Sequence, residues 1–164
     1  MIEKTLVVIK PDGVQRGLTG EVIKRLEQRG LKVVGIKMIH VDGDFASKHY
    51  TDDIAKRRGE RVRRDLIKFI TGGPVVSFVL EGVHAVELTR KLVGDTEPKG
   101  ALPGTIRGDF AHVSYDYADD KKIAVKNIIH ASANPEEAEQ EIKLWFKDSE
   151  LVSYKSVHDL HVLD

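Results

Sequence analysis

Apolar and polar positions along this chain follow two periods, one typical of strands and one typical of helices. Apolar runs rich in β-branched residues at positions 5–9, 31–41 and 75–80 predict three strands. The run at 75–80 is almost continuously apolar, which is typical of a strand that is buried on both faces. A short fourth strand is predicted at 127–130.

Helical periodicity occupies the intervals between these strands. One helix is predicted from an N-cap at Thr19 to a stop at Gly30, and another ends at Gly94. The polar stretch 44–71 is compatible with a helix that is broken near Gly59. The intervals therefore alternate with the strands along the chain.

Turn chemistry marks the remaining boundaries. A turn is predicted at positions 10–13 and an irregular loop at 95–108. The last helix has the clearest start, because Asn134 suits the N-cap, Pro135 suits the first helical position and Glu137 completes a capping-box pattern. The element order predicts an α+β sandwich, with a ferredoxin-like split βαβ topology in which helices cover an antiparallel sheet.

The composition fits a single domain spanning residues 1–164. With 41% hydrophobic and 32% charged residues, the chain is not of the intrinsically disordered class. No apolar run approaches the roughly 20 residues that a membrane span needs, and the first residues lack the basic-then-apolar order of a signal peptide. The absence of cysteine excludes disulfides and thiolate catalysis. We expect a cytoplasmic protein without membrane contact.

Positive and negative charges balance at 26 each, so no overall field favours binding to nucleic acid. Basic residues cluster once, at positions 56–64. A solvated helix face is the favoured interpretation, a rim that steers phosphate groups comes second, and a nucleic-acid patch comes third.

Phosphate-binding loops of the P-loop and Rossmann kinds are absent, so any phosphate contact must come from side chains. Lys10 stands at the end of a core strand, where the strand and Pro11 fix its position. An ammonium there could hold a phosphate or a sugar. The alternative is a lysine that extends from the strand end to solvent.

Two arginines are further candidates. Arg90 stands late in a helix and Arg107 stands in the glycine-rich loop near Thr105. Two guanidinium groups can hold adjacent phosphates and neutralise the charge of a transferred group. The alternatives are pairing of Arg90 with a helix C-terminus and a salt bridge from Arg107 to Asp109 or another loop carboxylate.

His130 ends the short fourth strand with small residues beside it and is therefore accessible to an incoming group. A neutral imidazole is a competent nucleophile near pH 7. Glu141, on the following helix, is a candidate for fixing its tautomer. The alternative is an ordinary core histidine. The other histidines are interpreted as surface residues: His40, His49, His84, His112, His158 and His161.

In their amino-acid sequences and in their order along the chain, several segments resemble the nucleoside diphosphate kinase family. These are residues 10–18, 103–110 and 127–132, supported by 73–76 and 144–146. The resemblance spans nearly the whole chain. It implies transfer of the γ-phosphate of ATP to other nucleoside diphosphates by a ping-pong mechanism through a phosphohistidine.

The resemblance also implies roles for individual residues. His130 corresponds to the phosphorylated histidine, with Ser132 and Glu141 orienting it. The nucleotide-binding positions are Lys10, Tyr50, Arg90, Thr96, Arg107 and Asn127. The family uses Mg²⁺ that the nucleotide carries, without a dedicated protein metal site, and it forms homo-hexamers or tetramers.

Three departures from the family pattern are visible. The base-stacking phenylalanine of the family corresponds to Val62 here, with Leu66 nearby as a second apolar base contact. Ala133 replaces an aspartate that follows the serine. About ten residues are inserted within 114–126, for which the hypothesis is a surface or subunit-contact role.

Two other functional classes are alternatives for this sequence. A module that binds nucleotides without transferring phosphate would share the scaffold, although the retained histidine, lysine and arginines disfavour it. A ferredoxin-like RNA-binding domain would explain the basic run, but the strands lack the aromatic residues that stack on RNA bases. We expect nucleotides as partners, with no specific nucleic acid.

Overall fold

The structure, a computed structural model, describes residues 1–163. Within them, four strands form one antiparallel sheet with the spatial order β2-β3-β1-β4. The strands are β1 (Ile2–Ile9), β2 (Lys32–Ile39), β3 (Val75–Val83) and β4 (Ile129–Ala131). All four predicted strands are present, and the fourth lies one residue further along the chain than predicted at its C-terminal end.

Nine α-helices connect and cover the strands in the part of the chain described. They are α1 (Pro11–Gln15), α2 (Thr19–Glu27), α3 (Gly43–His49), α4 (Asp52–Arg58), α5 (Glu60–Ile70), α6 (Ala85–Val93), α7 (Ile106–Phe110), α8 (Tyr115–Lys121) and α9 (Pro135–Trp145). Short turns of other helical types lie at Pro98–Gly100, Asp148–Glu150 and Asp159–Leu163.

The connections follow the predicted split βαβ pattern. Since β1 and β2 are both antiparallel to β3, they run parallel to each other with α2 between them in sequence. In the same way β3 and β4 are both antiparallel to β1, with α6 between them. Two βαβ units are thus interleaved in one sheet, which is the ferredoxin-like topology. The predicted fold class is confirmed.

Alternation along β1 divides the core into two layers. Val7 and Ile9 belong to an apolar cluster with residues of α2 and α6, whereas Leu6 and Val8 belong to a second cluster with residues of α3, α5 and α9. Helices therefore cover both faces of the sheet, and this double burial explains the continuous apolar run in β3. A sheet covered on both faces offers no open strand surface for stacking RNA bases.

Several boundaries differ from the prediction. The N-cap of α2 is Leu18, and the Thr19 side chain makes no capping hydrogen bond. The polar stretch 44–71 is broken at Gly59 as predicted, but a second break at Tyr50 divides it into three helices. The expected turn after β1 contains the one-turn helix α1, because Pro11 at its first position has a suitable fixed φ.

The start of α9 lies where it was predicted, but Glu137 bonds the amide one residue before the N-cap. The Asn134 side chain accepts a hydrogen bond from the Glu137 amide at 2.8 Å, and the Glu137 carboxylate accepts one from the Ala133 amide at 3.2 Å. This reciprocal cap fixes where α9 begins, five residues after His130. Among residues 1–163, no helix is both long and apolar enough to cross a bilayer.

Candidate active site

The predicted site residues meet in one cleft beside the edge strand β4. Its volume is about 210 Å³. Its lining includes Lys10, Tyr50, Val62, Leu66, Arg90, Thr96, Arg107, Asn127 and His130. A wider open groove of about 840 Å³ shares Arg90 and Thr96 with this cleft but contains neither His130 nor Lys10. The groups able to do chemistry are thus concentrated in the smaller cleft.

Strand pairing determines the direction of the His130 side chain. His130 lies opposite Val8 in the β1–β4 ladder and therefore points to the same face of the sheet as Val8, towards α3 and α9. Its side chain is 19% exposed and lines the cleft, so it is not an enclosed core histidine. Its Nε2 lies 2.7 Å from Glu141 Oε1 and 3.0 Å from Oε2.

Glu141 is held in place from a second direction. The Ser132 hydroxyl donates to Glu141 Oε2 at 2.6 Å, and the Leu6 amide donates to Ser132 Oγ at 3.3 Å. Burial by itself raises the pKa of the Glu141 carboxyl, but the charge and hydrogen bond of His130, with His49 and Ser132, hold that pKa below its ordinary value. An ionised carboxylate therefore faces Nε2 and favours the tautomer with the proton on Nε2.

His49 lies behind the His130 ring, and its interpretation as a surface residue is wrong. It is buried, its ring meets that of His130 edge to face at 4.7 Å, and its Nδ1 accepts a hydrogen bond from Trp145 Nε1 at 3.2 Å. Burial, followed by the neighbouring His130, lowers the pKa of His49 to about 3, while Glu141 opposes this effect. His49 is consequently neutral. Its position on the buried side of the short helix α3 gave no periodic signal in the sequence.

Lys10 is fixed beside Asn127 at the end of β1. Its Nζ donates to Asn127 Oδ1 at 2.7 Å, and the Asn127 amide nitrogen donates to the Thr96 carbonyl at 2.8 Å. Lys10 is only 6% exposed, so it does not extend to solvent. Burial, followed by the nearby positive charge of Arg107, lowers the pKa of Lys10 to about 7, while Asp12 opposes this effect.

Arg107 is buried at the start of α7, and its guanidinium joins three parts of the backbone. It donates to the carbonyls of Gly94 at 3.0 Å, Asn127 at 3.2 Å and Ile129 at 2.6 Å. The expected alternative, a salt bridge to Asp109, is wrong, because Asp109 pairs with Arg25 at 2.6 Å. Three of the five guanidinium N–H groups are used in this way, which leaves two for a ligand.

Burial and the neighbouring Arg90 lower the pKa of Arg107 to about 10, so this guanidinium is still charged at neutral pH. Arg90 is exposed in the last turn of α6, and its side chain makes no hydrogen bond or ion pair with residues 1–163. The two arginines thus present positive charge to the cleft, which suits an anionic ligand.

Tyr50 and Thr96 complete the polar lining. Tyr50 is buried, burial raises the pKa of its phenol, and its hydroxyl has no partner among the described residues. Thr96 is exposed at the cleft, where its carbonyl orients Asn127. The Thr96 hydroxyl is therefore available to a bound molecule, whereas the Tyr50 hydroxyl is buried.

The backbone before His130 is strained. Ile128 has a φ of 71°, and the Ile129 amide donates to the Asn127 carbonyl at 2.7 Å, which closes a three-residue γ-turn around it. For a β-branched residue this conformation costs about 1–3 kcal/mol. The Ile128 amide bonds to Asp12 Oδ2 at 3.0 Å, and its carbonyl accepts from the Lys10 amide at 2.7 Å. This tight turn places Asn127 and His130 together beside Lys10.

The basic segment 56–64 has two kinds of residue. Lys56, Arg57 and Arg64 are exposed, as expected for a solvated face. Arg63, by contrast, donates to the Tyr50 carbonyl at 2.7 Å and thereby fastens α5 to the end of α3. The side chains of Val62 and Leu66 on α5 lie in the cleft, where the apolar base contacts were expected.

Segment 114–126, within which an insertion of about ten residues with a surface or subunit-contact role was expected, also reaches the cleft. It contains α8, and its cleft-lining residues are Tyr115, Ala118, Asp119, Ile123, Ala124 and Val125. The polar sequence of α8 gave no sign of this position, because the helix is anchored by tertiary contacts and not by a broad apolar face.

Comparisons with known proteins agree with this arrangement. The family described as nucleoside diphosphate kinase matches residues 3–151. A nucleoside diphosphate kinase of Borreliella burgdorferi is 53% identical over 156 residues, covering 94% of this chain and 93% of that protein. One from Thermomicrobium roseum is 48% identical over 162 residues and covers 99% of both.

Solved structures are also similar. The nucleoside-diphosphate kinase from Borrelia burgdorferi, a transition state mimic with bound vanadate and ADP, has a TM-score of 0.94 at 52% identity, covering 96% of this chain and 95% of that one. A halophilic nucleoside diphosphate kinase from Halobacterium salinarum in complex with CDP has a TM-score of 0.83 at 40% identity, covering 98% and 97%.

The fold, the cleft and these relatives together define a phosphotransferase enzyme that acts on nucleotides. The chain belongs to the nucleoside diphosphate kinase family.

Proposed function

We propose that this enzyme passes the terminal phosphate of ATP to other nucleoside diphosphates through a covalent phosphohistidine on His130. The observation that carries the proposal is the hydrogen bond between His130 Nε2 and Glu141. With the proton on Nε2, the Nδ1 lone pair is available on a ring that lines the cleft. The buried carboxylate also offsets the positive charge that the ring acquires when Nδ1 is phosphorylated.

The transfer consists of two displacements at phosphorus. In the first, Nδ1 attacks the γ-phosphorus of ATP, the N–P bond forms, and the bond to the β,γ-bridging oxygen breaks, so that ADP leaves with that electron pair. In the second, a terminal oxygen of another nucleoside diphosphate attacks the phosphorus and the N–P bond breaks. The Nε2 proton stays hydrogen-bonded to Glu141 throughout.

Lys10, Arg90 and Arg107 are proposed to hold the phosphates, with Thr96 donating through its hydroxyl. Charge on the transferred group spreads over its equatorial oxygens, and cations fixed before the reaction stabilise that charge without reorganising. Support comes from the two unused N–H groups of Arg107 and from the unpaired Arg90 side chain. Tyr50 and Asn127 are proposed to position the histidine and the sugar, respectively.

The potential metal ligands of the cleft fit a Mg²⁺ ion that is carried by the nucleotide and not by the protein. Within residues 1–163, the group of potential metal ligands that lies close together is His49, His130 and Glu141, and its members are already bonded to one another or to Trp145. The phosphate side of the cleft is cationic. Phosphate oxygens and water would therefore hold the ion, which supplies charge neutralisation when it is bound.

Broad nucleotide use is expected, because the same cleft must accept donor and acceptor. Val62 and Leu66 offer apolar contact to any base, so binding effort falls on the sugar and phosphates. The relatives solved with ADP and with CDP support both purine and pyrimidine nucleotides as ligands.

The decisive activity test mixes the protein with ATP and several nucleoside diphosphates and measures every triphosphate that forms. Parallel double-reciprocal plots and formation of all the corresponding triphosphates are expected. His130→Ala should abolish transfer without loss of the folded state, and His40→Ala, a change at an exposed histidine beyond β2, should retain it. Transfer that survives His130→Ala would overturn the assignment.

We further propose that the chain is one domain that acts in the cytoplasm as a homo-oligomer, either a hexamer or a tetramer. The family resemblance supports this assembly, and so does the edge strand β2, which exposes Ile36 and Met38. Analytical ultracentrifugation should give four or six times the chain mass of 18.3 kDa. A sedimenting monomer at micromolar concentration would contradict the proposal.

A further inference from the structure

The one-turn helix α1 and the strained turn at Ile128 are bonded to each other. Asp12, the second residue of α1, accepts the Ile128 amide on Oδ2 at 3.0 Å, and the Lys10 amide just before α1 donates to the Ile128 carbonyl at 2.7 Å. Ile128 is fully buried, so its amide has no access to water. The same helical turn therefore satisfies both backbone groups of a residue whose φ is 71°.

Packing at Gly13, the next residue of α1, adds to these bonds. A Cβ at Gly13 would lie 2.9 Å from Ile128 Cγ2, 3.0 Å from the Ile128 carbonyl oxygen and 2.7 Å from Ile9 Cγ2. Contacts this short are steric overlaps, so a residue with a side chain would displace α1 from the turn. The two hydrogen bonds and this close approach together hold the Ile128 turn in place.

The Asp12 carboxylate is also a negative charge close to the cations of the cleft. It does not line the cleft, and its Oδ1 is buried with no hydrogen-bond partner among the described residues. Burial is the main effect that lowers the pKa of Lys10 to about 7 and of Arg107 to about 10, and the Asp12 charge opposes this effect at both groups.

An ordinary role for Asp12 would be that of an acidic residue in the first turn of a helix, which interacts with the dipole of its own helix. Its hydrogen bond instead reaches Ile128, 116 positions away in sequence. The bonded residue lies between Asn127 and Ile129 in the turn that leads to His130. Asp12 therefore contacts the backbone that carries the candidate nucleophile.

We propose that Asp12 is a positioning residue of the transfer reaction: it holds the Ile128 turn on which the place of His130 depends, and it supplies a fixed negative charge beside the phosphate-binding cations. The inference rests on the proposed function, because it concerns the same site. Since Asp12 lies outside the lining of the cleft, it acts through the turn and through the charge state of Lys10.

The effect of the Asp12 charge can be measured at Lys10. The charged or titratable side chains that face Lys10 are Arg107 on α7, Asp12 on α1 and the neutral His49 on α3, and burial keeps the Tyr50 phenol at the end of α3 protonated by raising its pKa. At pH 7 a group with a pKa of about 7 is half protonated, so binding of ADP that completes its protonation takes up about 0.5 proton. Removing the Asp12 charge lowers the pKa of Lys10 further and increases this uptake.

Three variants separate the turn from the charge. Asp12→Asn removes the charge but keeps an oxygen that can accept the Ile128 amide. Gly13→Ala forces α1 away from the turn and leaves the charge in place, and Asp12→Ala removes both the bond and the charge. The matched controls are Asp44→Asn, at the same position in the first turn of α3, and Gly20→Ala, where a Cβ meets nothing within 4 Å; both residues are exposed.

Each variant is measured twice: for the limiting rate of phosphoenzyme formation from ATP by rapid quench, and for proton uptake on ADP binding at pH 7 by calorimetry in two buffers. Asp12→Ala and Gly13→Ala should lower the limiting rate about 10- to 100-fold, because a displaced turn misplaces His130. Asp12→Asn should keep the rate within about threefold of the parent and raise the uptake above about 0.7 proton. Both controls should match the parent protein in both measurements.

A parental limiting rate in folded Asp12→Ala would overturn the inference, and so would a proton uptake in Asp12→Asn equal to that of Asp44→Asn. Thermal unfolding of each variant identifies a general loss of structure, and Gly13→Ala tests the turn if Asp12→Ala does not fold. A parent protein that takes up no phosphate from ATP defeats the proposed function, whereas ADP binding and its proton uptake still test the Asp12 charge. The two failures are therefore distinguishable.

Discussion

Nucleotide binding should be coupled to proton uptake at Lys10, and this coupling can be worked out from the structure. Burial and Arg107 lower the pKa of Lys10 to about 7 in the free protein. At pH 8 a group with that pKa is protonated in only about 9% of the molecules. A polyphosphate about 4 Å away attracts the ammonium by about 4 kcal/mol at an effective dielectric constant of about 20, which favours protonation about 1000-fold.

The bound lysine is therefore almost fully protonated, and binding of ADP at pH 8 should take up about 0.9 proton per site. At pH 6 the free lysine is already about 90% charged, so uptake should fall to about 0.1. Isothermal titration calorimetry measures this directly, because the observed enthalpy varies with the ionisation enthalpy of the buffer. Titrations in Tris and in HEPES at pH 8 give the slope of the observed enthalpy against the buffer ionisation enthalpy, which is the number of protons taken up.

Lys10→Arg is the matched variant, since a guanidinium is charged throughout this pH range and takes up no proton on binding. Its slope at pH 8 should be close to zero while ADP still binds. A slope below about 0.3 for the parent protein, or an equal slope for Lys10→Arg, would refute the assignment of a depressed pKa to a phosphate-binding lysine.

The same group also makes a prediction for stability without ligand. Between pH 7 and 10.5 the folded protein binds fewer protons at Lys10 than the unfolded chain does, because the folded pKa is lowered from 10.5 to about 7. The free energy of unfolding contributed by this lysine therefore increases with pH across that window. Urea titrations at pH 7 and 9 should show the increase for the parent protein, and it should be absent in Lys10→Met.

Three further changes test separate parts of the site. Glu141→Gln should slow phosphoenzyme formation about 10- to 100-fold in rapid-quench experiments, because the charge that supports the His130 tautomer is lost. Arg107→Lys should lower kcat about 100-fold in steady-state assays, since a lysine cannot reach three carbonyls and a phosphate at once. Gly108→Ala should lower the free energy of unfolding by about 1–3 kcal/mol in urea titrations, because its Cβ would overlap the Leu102 carbonyl, whereas Gly100→Ala, which meets nothing closer than 3.8 Å, should be near neutral.

Periodicity predicted the sheet because strands buried on both faces carry their signal locally. The run in β3 and the cap formed by Asn134 and Glu137 depend on neighbouring residues, so both can be predicted from the sequence. The sequence predicted the helices between Asp42 and Ile70 less well. The break at Tyr50 is accompanied by a hydrogen bond from Arg63 to the Tyr50 carbonyl, a contact between helices. Such contacts join residues that are far apart in sequence and that neither the helix period nor the strand period connects.

The candidate site likewise contains residues that the sequence predicted and residues that it did not. His130, Glu141 and Lys10 were predictable, since each stands at a predicted strand end or about two helix turns from a clear cap. His49 was not, because its burial comes from Trp145, which is 96 positions away in sequence. The bonds of Arg107 to three carbonyls and the position of α8 on the cleft likewise depend on tertiary structure alone.

The central claim is that one imidazole carries the phosphate between nucleotides. Incubation with ATP labelled at the γ-phosphate, followed by alkaline denaturation and peptide mapping, tests it most directly. The account predicts up to one acid-labile phosphate per chain, located on His130 and discharged within one turnover by added CDP. Label that is absent from the protein, that lies on another residue, or that CDP does not remove would contradict it.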